Sequence, residues 1–549
     1  VSTDAAARGE AARIPCREDL VRFLLDPKSY PRRPRRVRLE ETHASLVFIA
    51  PPYVYKVKKA VNFGFLDFST LEKRRFYCGR EVELNRRLSP SMYLGVVPIS
   101  RTGGRLAFGE GDQVVEYAVK MRNLSARRFL DKLVERGEAG AKDIDRVATV
   151  LGRFYRAQHP TAEIEEWGRI DRLKVSTDEN FRQTEPFIGH PLSRAAFEAI
   201  RFYTNEFYIR RAKLFESRIK ERWIRDCHGD LRLEHIHVTP RELLIYDCIE
   251  FNDRLRYVDV ANDVAFLAMD LDHAGRPELA KRFAAEIAAA LGDSGMGWLM
   301  DFYKCYRAYV RGKVECLRGA AAGASGADRK ESAGRARRHF QLALRYAVAG
   351  SEPMVLVVMG RVGSGKSALA RALGNELDWP VFSSDRARKQ IAGVPLFERG
   401  DEAARGRLYS AAMTRKTYDQ LLNDAIEQTR QHRGAILDAT FGRRAERDRL
   451  RARFAAEGVH FRFVEARADD AVVMERLRLR ASRPDEVSDA RLEDFETLSK
   501  LFEPPSEPAR NKMILAQTTG PPDKTLAGAL QDLVHAHLAL LERRDERNL

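Results

Sequence analysis

The chain has 549 residues, 32% of them charged and 44% apolar, with a formal net charge of +16. That is too long for a single hydrophobic core and too mixed for a fibrous or disordered chain. No apolar run approaches the ~20 residues of a membrane-spanning helix, so no membrane partner is expected. The opening residues, VSTDAAARGEAARIPC, lack the apolar centre of a secretory signal. The six cysteines, Cys16, Cys78, Cys227, Cys248, Cys305 and Cys316, fall at no paired spacing. Free thiols in a reducing, cytoplasmic setting are expected. The basic surplus attracts anions such as nucleotides, phosphorylated metabolites or nucleic acid. Its densest run, Arg32-Arg33-Pro34-Arg35-Arg36-Val37-Arg38, reads as a solvated connector or a nucleic-acid contact.

In chain order, residues 1–38 form an N-terminal segment with a short helix over Cys16–Leu25. Residues 39–122 then read as a mainly antiparallel sheet with one helix. Its strands are Leu46–Ile49, Tyr53–Lys58, Val96–Ile99 and Val114–Met121, and its helix is Leu71–Leu88. Residues 123–345 are largely helical. Helices are expected over Ser125–Arg136, Asp143–His159, a long proline-free region Leu192–Arg225, Val258–Leu271, Pro277–Leu291 and Leu299–Leu317. Cys227–Phe251 interrupts them with loops and short strands. Gly319–Gly326 reads as a flexible turn, Arg335–Ala349 as a basic helix, and 346–353 as a linker ending in Gly350-Ser351-Glu352-Pro353.

Residues 354–549 alternate strands and helices, which implies a parallel α/β sheet. The strands are Met354–Met359, Val381-Phe382, Ala435–Asp438, His460–Glu465 and Met513–Ala516. The helices are Lys366–Leu377, Leu408–Thr429, Arg444–Glu457 and Leu526–Leu541. The first strand runs into Gly360-Arg361-Val362-Gly363-Ser364-Gly365-Lys366-Ser367, which matches G-x-x-x-x-G-K-[ST] at every fixed position. Strand, glycine loop and helix N-terminus together converge backbone N–H groups on phosphate oxygens. Gly360, Gly363, Ser364 and Gly365 would cradle the phosphates of ATP. Lys366 would reach the β- and γ-phosphates, and Ser367 would hold Mg²⁺.

Two further patterns carry chemistry. Cys227-His228-Gly229-Asp230-Leu231-Arg232-Leu233-Glu234-His235 is followed by the strand Leu243–Tyr246 and Asp247. This resembles the aminoglycoside-phosphotransferase-like kinases, whose pattern is H-G-D-x-x-x-x-N and then a strand ending in Asp. The resemblance implies a bilobal α+β kinase-like fold, with a sheet lobe over 39–122 and a helical lobe over 123–345. It makes Asp230 the residue that orients or deprotonates an acceptor hydroxyl, Asp247 a Mg²⁺ ligand, and His228 a brace for the loop. Lys58, favoured over Lys56 on the same strand face, would meet nucleotide phosphates and pair with Glu81. Asp259 would be a structural acceptor or a helix cap, and Glu250 would face metal or acceptor. The pattern has Asn where this chain has His235; imidazole can ligate metal but suits hard Mg²⁺ less well.

The region from 354 resembles the small P-loop kinases: gluconate kinases, zeta-toxin kinases, chloramphenicol phosphotransferase and polynucleotide 5′-kinase domains. The resemblance implies an α/β P-loop NTPase fold, with an Asp after the second strand and an arginine-rich lid. Asp385 would position or deprotonate the acceptor, unless it only caps its helix. Asp438 would join the Mg²⁺ shell or bind acceptor, and Arg386, Arg388 and Arg443 would contact an anionic acceptor or solvent. Arg476, Arg480 and Arg483, spaced for one helical face, would serve as lid arginines that neutralise the moving phosphoryl group. The expected activity is ATP- and Mg²⁺-dependent phosphotransfer to a hydroxyl of a small molecule or of a 5′-OH nucleic acid. A nucleotide-dependent regulatory or RNA-interacting ATPase with a degenerate kinase-like region is the alternative.

Overall fold

The computed structural model describes residues 17–64, 66–321, 323–398, 402–481, 487–489, 491–506 and 513–546. The chain divides into two compact units. One is Val1–Leu173 with Lys213–Gly297, and the other is Lys174–Ala212 with Trp298–Leu549.

The first unit is built on a six-stranded antiparallel sheet in the order β1-β2-β3-β6-β4-β5. The strands are β1 Arg38–Glu41, β2 Ser45–Ala50, β3 Tyr53–Lys58, β4 Tyr93–Thr102, β5 Arg105–Phe108 and β6 Gln113–Arg122. The period-two alternation of β3 decides what each face does. Tyr55 and Val57 enter a core with Leu46, Phe48, Ile99 and Ala118, closed by Leu20 and Leu24 of the Arg17–Leu25 helix. Lys56 and Lys58 therefore face the other way, toward the helix Leu71–Arg86, which buries Cys78, Glu81 and Val82. The arginine-rich run is an exposed connector, with Arg32 lying over the Tyr53 ring at 5.5 Å.

The expected helical region Leu192–Arg225 is not continuous. Helices Arg194–Arg210 and Ala212–Lys220 are followed by a strand, β7 Ile224–Asp226, which pairs antiparallel with β10 Tyr257–Asp259. Thus β10 takes the first two residues of the helix expected from Val258, and the helix begins at Val260. Between them, β8 Ile236–Val238 and β9 Leu243–Ile245 form a short hairpin around the His228–Asp247 segment. Arg218, 1% exposed, clamps this region by bonding Asp259 (2.9 and 2.8 Å) and Asp293 (2.5 and 2.7 Å). Arg218→Leu would strand two buried carboxylates. A loss of about 3–5 kcal/mol is expected, read as a fall in the urea midpoint by circular dichroism.

The second unit holds a five-stranded, all-parallel sheet in the order β12-β13-β11-β14-β15. These are β11 Met354–Met359, β12 Val381–Ser383, β13 Ala435–Asp438, β14 His460–Arg467 and β15 Met513–Gln517. Every residue of β11 is buried, as a central parallel strand covered on both faces requires. Helices from before residue 350 pack in this unit. Phe202 meets His535 of the helix Pro522–Glu546 at 4.5 Å, Arg210 reaches Glu542 at 3.3 Å, and Ser193 donates to Glu376 at 2.7 Å.

Of the 346–353 stretch, residues up to Ala349 are the last turn of the helix Gly326–Ala349, and 350–353 form a packed turn of this unit. A Cβ on Gly350 (φ +74) would fall 2.5 Å from Asp301 Oδ2, and Lys304 donates to Ser351 at 3.1 Å. The basic helix before it begins at Gly326, capped by the reciprocal Ser325–Asp328 pair. No helix among the described residues is long and apolar enough to cross a membrane. The five described cysteines are free thiols; Cys16 lies outside the described residues.

Candidate active sites

The glycine-rich loop follows directly from β11. Gly360, Gly363 and Gly365 take φ of +145, +74 and +88, which side chains resist. Space is as tight as conformation: a Cβ at Gly360 would sit 2.5 Å from Ala466 O, and one at Gly363 would sit 2.7 Å from Val473 Cγ1. Gly365 is the N-cap of the helix Lys366–Leu377. The loop is anchored by Thr518, whose hydroxyl donates to Ser364 O at 2.5 Å.

Two cavities meet at this loop. One, of about 690 Å³, is lined by Gly365, Lys366, Ser367, Asp438, Arg476 and Arg480. The other, of about 700 Å³, is lined by Asp385, Tyr409, Tyr418, Thr440, Arg443 and Phe502 among others. Lys366, Asp385 and Ser488 border both.

Asp385 stands in the first turn of the helix Ser384–Ala392, whose N-cap is Ser383, so it is not the cap itself. Asp438 ends β13, well before the next helix begins at Arg444. Burial pushes its carboxyl above the ordinary value, opposed by Lys366 and a hydrogen bond from Ser367. Its Oδ1 is buried with no hydrogen-bond partner. An orphaned carboxylate oxygen beside the Ser367 hydroxyl and Lys366 fits a hard oxygen-seeking cation such as Mg²⁺.

Arg476 donates to Thr518 Oγ1 (3.3 Å) and Thr518 O (2.5 Å), and sits beside Gly365. Arg480 lines the same cavity; Arg483 lies outside the described residues. Arg386 is exposed on the rim of that cavity. Arg388 differs from expectation. It is buried, donates to Leu408 O (2.9 Å) and Thr414 Oγ1 (3.1 Å), and lies over the Tyr409 ring at 4.4 Å. It therefore braces the wall of the second cavity, which it also lines, and is not a solvated helix residue.

In the first unit, Glu81 is fully buried and takes both strand lysines, Lys56 at 2.9 Å and Lys58 at 2.8 Å. Lys58 is 1% exposed and closed in by Glu250 and by the Phe68 ring at 4.6 Å. Lys56 is the more open of the two and bonds Asp247 at 2.9 Å. Asp247 takes φ +64 after β9, a conformation Asp tolerates better than most residues. Lys56 and the neighbouring His235 hold its carboxyl well below the ordinary range, against its burial.

The loop that carries Asp230 is held from below by Asp263. That carboxylate accepts from His228 N (3.0 Å), Gly229 N (2.9 Å) and Tyr155 OH (2.8 Å). His228 bonds Tyr246 O at 3.0 Å and accepts from Asp230 N at 3.3 Å. Asp259 is the cap of the helix Val260–His273 and the partner of Arg218; Asp263 is the residue that fastens the loop. Its signal was an acid inside the apolar run Val260–Met269. No group of three or more His, Cys, Asp or Glu able to hold a metal ion occurs among the described residues.

Comparison with known proteins adds the following. A model described as an AAA domain matches residues 355–505. The uncharacterized protein Rv2004c of Mycobacterium tuberculosis is 33% identical over 436 residues, covering 79% of this chain and 84% of that protein. This chain belongs to the Rv2004c family. A match of that length necessarily includes both the 227–250 loop and the 354–385 segment, so the family joins the two site regions in one chain. Among solved structures, a choline kinase from Cryptosporidium parvum Iowa II covers 60% of this chain and 94% of its own (10% identity, TM-score 0.37). A gluconokinase from Sinorhizobium meliloti 1021 covers 35% and 97% (18% identity, TM-score 0.27). In this member of the Rv2004c family, the residues that match the AAA-domain model include the glycine-rich loop and most of the parallel sheet.

Proposed function

We propose that the second unit transfers the γ-phosphate of ATP to a hydroxyl of a small acceptor with no net charge. The observation that carries this reading is the pair of adjoining cavities that share Lys366 and Asp385. The first, with the glycine loop and Arg476, suits the nucleotide. The second suits the acceptor, placed so that Asp385 meets its hydroxyl. Asp385 takes the hydroxyl proton as the acceptor oxygen bonds to the γ-phosphorus, and the bond from that phosphorus to the β–γ bridging oxygen breaks to release ADP. Lys366, with Arg480 at the rim, neutralises charge on the phosphoryl oxygens in passage. Ser367 and Asp438 would hold Mg²⁺, which when bound supplies charge neutralisation across the β- and γ-phosphates.

The acceptor class follows from charge. The second cavity is lined by five basic and five acidic side chains. Several are already spent on each other or on backbone: Arg405 bonds Asp494 at 2.5 Å, Arg388 is held as described, and Asp489 lies 3.4 Å from Lys389. A polynucleotide would want a clear basic surplus there. A neutral polyhydroxyl molecule, with Tyr409, Tyr418 and Phe502 to stack on, matches the lining better.

In the first unit, Lys56, Asp247 and Asp230 are proposed as a second nucleotide-handling set. Lys56 takes the phosphate role because its side chain is 17% exposed, against 1% for Lys58. γ-Labelled ATP offered with pools of sugars, polyols and 5′-OH oligonucleotides separates the units. Transfer to a neutral small acceptor is expected to survive Asp230→Ala within about threefold and to vanish in Lys366→Ala. The reverse pattern would put the chemistry in the first unit. Label appearing only on oligonucleotides would overturn the acceptor class.

A further inference from the structure

Thr518 follows the last residue of β15 and is buried. Its hydroxyl lies where three elements meet. It is 2.5 Å from Ser364 O of the glycine loop and 2.9 Å from Arg467 O at the end of β14. The Arg476 guanidinium, on the helix Asp470–Ala481, lies 3.3 Å away. A hydroxyl has one proton to give and two lone pairs. The two carbonyls compete for that proton. Arg467 O already accepts from Thr518 N at 2.7 Å, and Ser364 O is the nearer to the hydroxyl, so Ser364 O takes the proton. The hydroxyl oxygen then accepts from Arg476. The result is a chain of hydrogen bonds, Arg476 N–H to Thr518 O–H to Ser364 C=O, in which each member polarises the next.

The chain ends on the Ser364–Gly365 peptide. Gly365 takes φ +88, and glycine lets such a peptide turn over at little cost. A trans peptide points its C=O and its N–H in opposite directions. With the C=O held on Thr518, the Gly365 N–H is turned away from Thr518, at the N-cap of the helix Lys366–Leu377 and in the wall of the first cavity. A Cβ on Gly365 would meet Arg476 Nη1 at 3.1 Å and Thr518 Cβ at 3.3 Å, so both side chains pack directly on this peptide.

We infer that Thr518 is a positioning residue for nucleotide binding: its hydroxyl locks the Ser364–Gly365 peptide with the N–H free for a phosphate oxygen, and holds Arg476 against the same peptide. This rests on the reading of the glycine loop as the nucleotide site. The glycine-loop motif does not contain this residue, which reaches the loop from 154 positions further along the chain.

The test is calorimetry of Mg²⁺·ADP binding to the full chain, read as the component lost in Lys366→Ala. Thr518→Val keeps the shape and removes the hydroxyl, whereas Thr518→Ser keeps the hydroxyl and removes the methyl. The valine variant is expected to bind about tenfold more weakly, and the serine variant within about threefold of the parent. Affinity should follow the hydroxyl whichever way the melting temperatures move, which a purely structural role would not produce. Thr519→Val removes a neighbouring hydroxyl that accepts from Asp469 N at 3.3 Å, and should leave the affinity unchanged. A valine variant that binds within threefold of the parent overturns the inference alone. So does a serine variant about tenfold weaker, a result read on its own even where the valine variant folds poorly. Binding that Lys366→Ala leaves intact overturns the reading of the glycine loop as the nucleotide site, and the inference with it.

Discussion

Lys366→Ala is expected to lower kcat/KM for phosphotransfer by about 10³-fold or more, roughly 4 kcal/mol of transition-state stabilisation. The side chain borders both cavities, and in the proposed mechanism the phosphoryl group passes between them there. Arg480, which shares the neutralising task in the proposed mechanism, lines only the nucleotide cavity. Arg476 is committed to Thr518, and Arg388 is spent on Leu408 O and Thr414. The fold should not suffer. Residue 366 opens a helix whose cap is Gly365, and alanine is a better helix former than the lysine it replaces. The paired measurements are single-turnover transfer from γ-labelled ATP and nucleotide affinity by calorimetry. A drop in transfer with an unchanged melting temperature is expected. Transfer at the unmutated rate would move the chemistry out of the second unit.

Much of the second unit was legible because its chemistry is local in sequence. The glycine loop, its strand and its helix occupy Met354–Leu377 without interruption, and the parallel strands are short apolar runs between helical patterns. The first unit was legible only in part. Alternation on β3 put Lys56 and Lys58 on one face, but which of them stays open depends on Glu250, far from β3 in sequence, and on the loop residue Phe68, which the fold brings over Lys58. Arg388 misled for the same reason. A basic residue near a strand end reads as exposed until Tyr409 and Thr414 fold over it. The break after Arg210 was invisible because no proline or glycine marks it. Further on, the pairing of β7 with β10, a tertiary event, ends the helical region before Arg225. Asp263 carried a readable signal, an acid inside the buried first half of its helix, but its partners, two backbone N–H groups and the Tyr155 hydroxyl, are ones that sequence cannot locate.

Asp385→Asn separates a catalytic role from a structural one. The substitution keeps shape and polarity but removes the acid–base function, so kcat should fall by about 10²–10⁴-fold. ATP affinity should hold within about threefold, because the glycine loop, Lys366 and Arg476 remain. A structural role predicts a different split. Were Asp385 chiefly a stabiliser of its helix, Asn would cost at most about 1 kcal/mol of stability and leave kcat nearly intact. The geometry favours the first outcome. Ser383 already holds the cap position, and Asp385 lies on the border shared by the two cavities. Asp438→Asn provides the contrast. That carboxylate belongs with Ser367 on the nucleotide side, so its loss should weaken Mg²⁺-dependent ATP binding before it slows the chemical step. A kcat defect in Asp385→Asn, beside a Mg²⁺-titration defect in Asp438→Asn, would assign one acid to the acceptor hydroxyl and the other to the metal.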